Sequence, residues 1–219
     1  MAFPCIFQEK WQKYLVVGDK CGILKNGLLL RFVYRSRKRK EAVRVNLKQL
    51  LEGISYEVQQ GTTDVEISDF QYDSRKVEKD GLFVCITGFQ TDGHKYIPMA
   101  LEKGAAALLC EHRVENVPEG VTVLVTENNR IALALLSDHF YGHPSAEMNV
   151  IGVTGTNGKT STTYLMKSIL DRIGKKVGII GTIENRIGDE VLKAERTTPE
   201  SKELQALFRR MKNEDVTDV

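Results

Sequence analysis

Thr154-Gly155-Thr156-Asn157-Gly158-Lys159-Thr160 stands where an apolar run, Asn149 to Thr154, gives way to a helical pattern, Ser161 to Ile173. Glycine at 155 and 158 lets backbone N–H groups approach an anion with no side chain in the way, and a helix N-terminus adds a positive dipole. In such a loop Lys159 reaches the β- and γ-phosphates and the Thr160 hydroxyl ligates Mg²⁺. The general GxxxxGK[ST] spacing asks for glycine at 153, where this chain has Val153, so the motif is a variant phosphate-binding loop. A tight turn would explain the glycines, but not Lys-Thr at a helix start behind an apolar strand. The pattern predicts nucleotide binding by Gly155, Gly158, Lys159 and Thr160.

Downstream, Val177 to Thr182 reads as a returning strand, which makes a βαβ unit. Its helix carries Leu165, Ile169 and Ile173 at i, i+4, i+8 beside Met166 and Leu170, and stops at Gly174 with Lys175 and Lys176 at its negative end. A second helix is expected to start with Thr198 as N-cap and Pro199 at N1, turning Leu204, Leu207, Phe208 and Met211 inward. Val216 to Val219 reads as the first half of a buried strand.

Upstream, the pattern predicts helices at Leu47 to Glu52, Tyr96 to Lys103 and Asn129 to Tyr141, and strands at Val65 to Tyr72, Leu82 to Ile86, Ala106 to Cys110 and Thr122 to Thr126. Such alternation implies a mixed or parallel α/β sheet. Gly142-His143-Pro144-Ser145 reads as a linker. The expected organisation is a basic leader at 1–44, an α/β domain at 45–145, and the start of a second α/β domain at 146–219.

The 219 residues are 42% hydrophobic and 27% charged, enough apolar content for a packed core rather than a disordered chain. The net charge of +2 hides an asymmetry: residues 1–44 hold eleven Lys/Arg against three Asp/Glu, and the remaining 175 residues hold twenty against twenty-six. A uniform nucleic-acid-binding surface is therefore excluded. Cys5, Cys21, Cys85 and Cys110 show no CxxC spacing, so neither a zinc site nor a disulfide framework is expected and a reducing, cytoplasmic setting fits. The longest apolar run, Gly27 to Val33, is broken by Arg31 and is far short of the roughly 20 residues of a membrane span.

The leader shows no sustained helical or strand period and is not expected to fold compactly. Its Arg35-Ser36-Arg37-Lys38-Arg39-Lys40 run reads as a solvated tail. Lys40-Glu41-Ala42 can be encoded by a purine run of the ribosome-binding kind ahead of Val45, so translation is expected to start at 45.

Asp73-Ser74-Arg75, at a strand end, reads as a turn with an ion pair or as a ligand contact. The loop Gly88 to His94 is open in the same way, since Gly and Asp make turns routinely. His94 is expected at the surface, and His112, His139 and His143 lack metal-ligand spacing. Thr197-Thr198-Pro199 is explained as a helix cap, and it also offers hydroxyls to an anion.

Together, Tyr72-Asp73-Ser74-Arg75, Gly81-Leu82-Phe83-Val84 with Gly88 and Asp92-Gly93-His94, Gly155 to Thr160, and Arg196-Thr197-Thr198-Pro199-Glu200 resemble the Mur ligases of peptidoglycan synthesis. Among them the likeness, from about 46 to 219, is to the branch that adds the third stem-peptide residue to UDP-N-acetylmuramoyl-L-alanyl-D-glutamate. The resemblance implies an amino-terminal UDP-substrate domain followed by part of a central ATPase domain. It implies that Ser74, with Tyr72, Phe89, Gln90 and Thr91, contacts the UDP-sugar. It also implies that Gly155 to Ser161 hold ATP, with Lys159 and Thr160 serving catalysis and Thr160 on Mg²⁺, and that Thr197 and Thr198 touch the muramoyl peptide. Arg196 stands where the family often has Asn, and that contact is not carried over.

The implied reaction is ATP-dependent amide formation through an acyl phosphate, with meso-diaminopimelate favoured over L-lysine as the amino acid added. Groups that the family uses further along are absent from this sequence, so the polypeptide is expected to be inactive alone. The rival reading is a non-catalytic module that binds the UDP-muramoyl peptide or a nucleotide.

Overall fold

In a computed structural model the described residues are 14–17, 20–25 and 28–32, of which the backbone is described, together with 44–88 and 91–219. Two compact units result, Met1–Ala42 and Val43–Val219. In the first, β1 (Tyr14–Val17), β2 (Lys20–Lys25) and β3 (Leu28–Phe32) form an antiparallel meander where no regular element is expected from the sequence. The intervening pairs, Gly18-Asp19 and Asn26-Gly27, are residue types that two-residue hairpin connections favour, a signal stronger than the weak periodicity of the strands. The Arg35 to Lys40 run lies outside the described residues.

The second unit opens with β4 (Val45–Asn46) and α1 (Leu47–Leu50), whose N-cap Asn46 accepts from the Lys48 amide. Next come β5 (Glu57–Gln60), β6 (Glu66–Ile67), β7 (Phe70–Gln71) and β8 (Gly81–Val84). They lead to α2 (Ile97–Glu102), β9 (Ala105–Cys110), β10 (Thr122–Val125) and α3 (Asn129–Phe140). The expected single strand over Val65 to Tyr72 is two: β6 pairs with β4, while β7 joins the main sheet. The break falls at Ser68-Asp69, where the Ser68 hydroxyl and amide turn aside to the Lys79 and Asp80 carbonyls.

The main sheet has the order β5-β10-β9-β8-β7, parallel except for the antiparallel edge strand β5. Both faces are covered, which is why β8 and β9 read as continuous apolar runs. Leu82, Val84, Ala107 and Leu109 point to a core with Phe70, α1 and α3. Phe83, Cys85, Leu108 and Cys110 alternate to the other face, against Ile97 and Ala100 of α2.

The rest of the unit holds α4 (Lys159–Arg172), β11 (Gly178–Ile180), β12 (Glu184–Ile187), β13 (Glu190–Lys193) and α5 (Ser201–Asn213). Three expectations are corrected here. Asn149 to Thr154 is not a full strand: Asn149 and Ile151 bond to the 217–219 segment, and the ladder goes no further. Asp218 bridges in parallel to both Asn149 and Val177, so the βαβ unit has the chain's last residues between its two strands. Beyond Val177, β11 pairs along its whole length antiparallel with β12. The Leu165, Ile169, Ile173 stripe of α4 is exposed (64%, 57% and 67%), because the helix instead turns Thr163, Met166 and Leu170 toward the strand segments. Finally, α5 starts at Ser201 with Glu200 as N-cap, two residues after the expected Thr198 cap. Its Phe208 and Met211 are buried as expected, and Leu204 is partly so.

The three-strand junction is tied by Asp218, whose carboxylate accepts from the Thr217 hydroxyl at 2.6 Å and from Asn149 Nδ2 at 3.0 Å, with Lys175 Nζ at 3.9 Å. The Thr217 bond first, then that of Asn149, holds the carboxyl below its ordinary value of 3.8. A depressed folded value means that this stabilisation is complete above 3.8 and is lost as pH falls through the lower folded value. Urea midpoints of the chain and of Asp218→Asn are therefore expected to differ at neutral pH and to converge on acidification; a constant gap would exclude this role.

Candidate functional site

The residue before α4, Gly158, has φ 79° and no side chain to cap the helix. That left-handed backbone costs an L-residue about 1–2 kcal/mol, so glycine lets the turn feed directly into the helix. With no capping side chain, the first amides of α4 keep their hydrogen-bonding capacity toward the loop side. Lys159 Nζ donates to the Gly155 carbonyl at 2.6 Å, folding the ammonium over the turn. Loop residues 154–158 are exposed, while Lys159 and Thr160 are half-buried.

Behind the loop opens a cavity of about 590 Å³. Gly155, Lys159 and Thr160 line it together with Thr197 and Thr198, so the two motifs 40 residues apart share one space. Thr156, Asn157, Gly158 and Ser161 are not in the lining. Thr182 and Glu184 join from the β11–β12 turn, and the Thr182 hydroxyl lies 3.1 Å from that of Thr197. Tyr164 of α4 donates to Glu184 Oε1 at 2.6 Å, and Arg186 also bonds that carboxylate. Tyr164 first, then Arg186, holds Glu184 below the usual carboxylate range. No motif marks Tyr164, Thr182 or Glu184; only the meeting of α4 with the β11–β12 turn does. Thr160 lines the cavity, and its hydroxyl is a hard oxygen donor of the kind Mg²⁺ takes.

The residues expected around the UDP-sugar lie elsewhere. Tyr72 donates to Glu203 Oε1 of α5 at 2.9 Å, and burial followed by that carboxylate pushes its hydroxyl pKa up. Ser74 is buried, with its hydroxyl 3.3 Å from Met99 Sδ. It starts a short 3-10 turn capped by Asp73, whose carboxylate also takes a two-pronged ion pair from Arg75. The turn-with-ion-pair reading of Asp73-Ser74-Arg75 thus describes its local geometry. The Thr91 hydroxyl lies 3.2 Å from Tyr96 Oη. Phe89 and Gln90 lie outside the described residues.

The loop closes where the Gly93 amide bonds the Ile86 carbonyl at 2.9 Å. A Cβ on Gly93 would meet Ile86 N at 2.7 Å and Ile86 O at 2.9 Å, both backbone atoms just beyond the end of β8. Gly93→Ala is expected to lower unfolding free energy by about 2 kcal/mol, the scale of an overpacked site, as read by urea denaturation. An unchanged midpoint would show that the loop moves freely. His94 corrects its surface assignment: its side chain is only 6% exposed, with Nδ1 2.6 Å from Asp92 Oδ1 and Nε2 accepting from the Glu111 amide at 3.0 Å.

Two family matches follow the chain in order: the Mur ligase catalytic domain over residues 66–141 and the Mur ligase middle domain over residues 153–219. The chain belongs to the Mur ligase family. It is 46% identical over 172 residues to UDP-N-acetylmuramoyl-L-alanyl-D-glutamate–2,6-diaminopimelate ligase 1 of Clostridium acetobutylicum, covering 78% of this chain and 36% of that protein. It is 47% identical over 174 residues to the correspondingly named ligase of Alkaliphilus metalliredigens, covering 80% and 35%. The chain thus spans about a third of the length of the curated relatives it matches. A solved structure of a ligase of the same name aligns with TM-score 0.62 at 22% identity, covering 80% of this chain and 35% of that one, which supports the mixed α/β fold.

Proposed function

We propose that the chain is the nucleotide- and UDP-substrate-binding part of an ATP-dependent ligase that adds 2,6-diaminopimelate to UDP-N-acetylmuramoyl-L-alanyl-D-glutamate. The observation that carries this reading is the shared cavity of Gly155, Lys159 and Thr160 with Thr197 and Thr198. The names of the relatives, at 46% and 47% identity, support the substrate and the amino acid.

In this reading Gly155 to Ser161 cradle the ATP phosphates and Thr160 offers its hydroxyl to Mg²⁺. Thr197 and Thr198 face the muramoyl peptide, and Tyr72, Ser74, Phe89, Gln90 and Thr91 serve the UDP-sugar. The physical need is charge neutralisation, because the substrate carboxylate must approach a polyphosphate. Lys159 supplies a positive charge on the cavity side of the loop. The carboxylate would attack the γ-phosphate and release ADP, and the incoming amine would then displace phosphate from the acyl phosphate to form the amide bond. The setting is the cytoplasm, with no nucleic-acid partner, and among the described residues no helix is long and apolar enough to cross a membrane.

Isothermal titration of the 219-residue chain with ATP and Mg²⁺ tests this reading. One saturable site is expected, and no heat on titration would overturn it. The chain alone is expected to release no ADP when given both the UDP-substrate and diaminopimelate. ADP release requiring both would refute its inactivity.

A further inference from the structure

Cys85 and Cys110 lie directly opposite one another where β8 and β9 end: Val84 is in register with Leu109, and the Cys85 amide bonds the Leu109 carbonyl at 2.8 Å. Both are fully buried, and their sulfurs are 3.9 Å apart. His94 enters from the 3-10 turn Gly93–Tyr96, and the ligand atoms of these three residues all lie within 4.8 Å of one another. We propose that Cys85, Cys110 and His94 form a zinc site of two thiolates and one imidazole.

The spacing suits the metal. Zn–S bonds of about 2.3 Å at the tetrahedral angle place two thiolate sulfurs about 3.8 Å apart, close to the separation seen here. The imidazole is oriented as metal-binding histidines usually are: Asp92 accepts from Nδ1 and also caps the turn through the His94 amide, which leaves the Nε2 lone pair for a ligand. In this structure that lone pair takes the Glu111 amide, one residue beyond Cys110. Zinc would replace this contact and free the amide beside the Cys110 sulfur. His112 stacks on the His94 ring with centroids 4.0 Å apart, which helps hold that ring in place. The frame is rigid: Asn129, itself fully buried, donates to both the Cys85 and Leu109 carbonyls. Binding would displace the two thiol protons to solvent, one from each cysteine, leaving a neutral bis-thiolate zinc centre with one position open. The soft donor pair favours zinc over Mg²⁺, which separates this site from the phosphate loop.

The test uses the reduced, chelator-treated 219-residue chain and Co²⁺ as the spectroscopic probe. One equivalent is expected to give thiolate-to-cobalt charge-transfer absorption and the intense visible bands of tetrahedral cobalt, both erased by Zn²⁺. Zinc is also expected to slow alkylation of Cys85 and Cys110 by iodoacetamide in urea near the unfolding midpoint, where opening exposes thiols that are buried in the native state. Cys110→Ala and Cys85→Ala, checked for folding by circular dichroism, are expected to lose the bands. Asp92→Asn is expected to weaken the affinity about 10-fold. Bands absent at one equivalent, bands surviving in either cysteine variant, or alkylation unaffected by zinc would each overturn the proposal. The alkylation result holds even where a variant fails to fold.

Discussion

Lys159→Ala is expected to weaken ATP binding by about 100-fold, measured by isothermal titration of the 219-residue chain with excess Mg²⁺. A hydrogen bond to a charged partner contributes about 1.5–3 kcal/mol, and 1.4 kcal/mol is tenfold in affinity, so loss of one or two phosphate contacts reaches that range. Among the described residues Lys159 Nζ bonds only the neutral Gly155 carbonyl, so the proposed nucleotide binding would exchange a weak partner for a strongly charged one. The same fact predicts a small effect on folding, since Lys159 is half-buried and has no charged partner among the described residues. An unchanged melting temperature with lost affinity is therefore the signature of a phosphate ligand. Lys159→Arg is expected not to restore binding fully, because a planar fork does not replace a compact ammonium in a loop this tight. Affinity undiminished in Lys159→Ala would remove the nucleotide role from the loop.

The loop was legible because its chemistry is contiguous: seven neighbouring residues carry the turn, the cation and the hydroxyl. The strands β8 and β9 were legible because burial on both faces makes them apolar throughout. The edge strand β5 was not, since Glu57-Val58-Gln59-Gln60 has no apolar run and is held by pairing with β10. The exposed stripe of α4 shows the converse failure. Leu165, Ile169 and Ile173 have a clear helical period, but periodicity gives a helix its apolar face without saying what covers it. His94 and the two cysteines were missed for a third reason. Cys85 and Cys110 are 25 residues apart, and parallel register rather than sequence spacing makes them neighbours. His94 contacts Asp92, Glu111 and His112, of which only Asp92 is near it in the chain.

Lys202→Met is expected to lower unfolding free energy by about 3 kcal/mol, the lower end of what removing one partner of a buried pair costs. Lys202 of α5 is 9% exposed and its ammonium donates to both oxygens of Asp69, at 2.8 and 2.9 Å, and to the Phe70 carbonyl. It also sits 4.7 Å from the Phe70 ring centroid. Burial lowers its pKa more than Asp69 raises it, so the ammonium gains little by itself from being there. The cost of Lys202→Met arises from what is left behind: the Asp69 carboxylate and the Phe70 carbonyl at the point where α5 meets β7. Asp69 is 29% exposed and can recover some hydration, which places the estimate at the lower end. Neutralising it as well separates the two contributions. Asp69→Asn combined with Lys202→Met is expected to regain part of the loss, because the amide carries no charge and can still accept from Gln71. Because Tyr72 is joined to Glu203 next along the same helix, Lys202→Met is also expected to loosen Tyr72 and to weaken UDP-substrate binding more than ATP binding. Equal urea midpoints for the chain and Lys202→Met would mean that water satisfies Asp69 and Phe70 once the lysine is gone, and the α5–β7 contact would then not be what holds these two segments together.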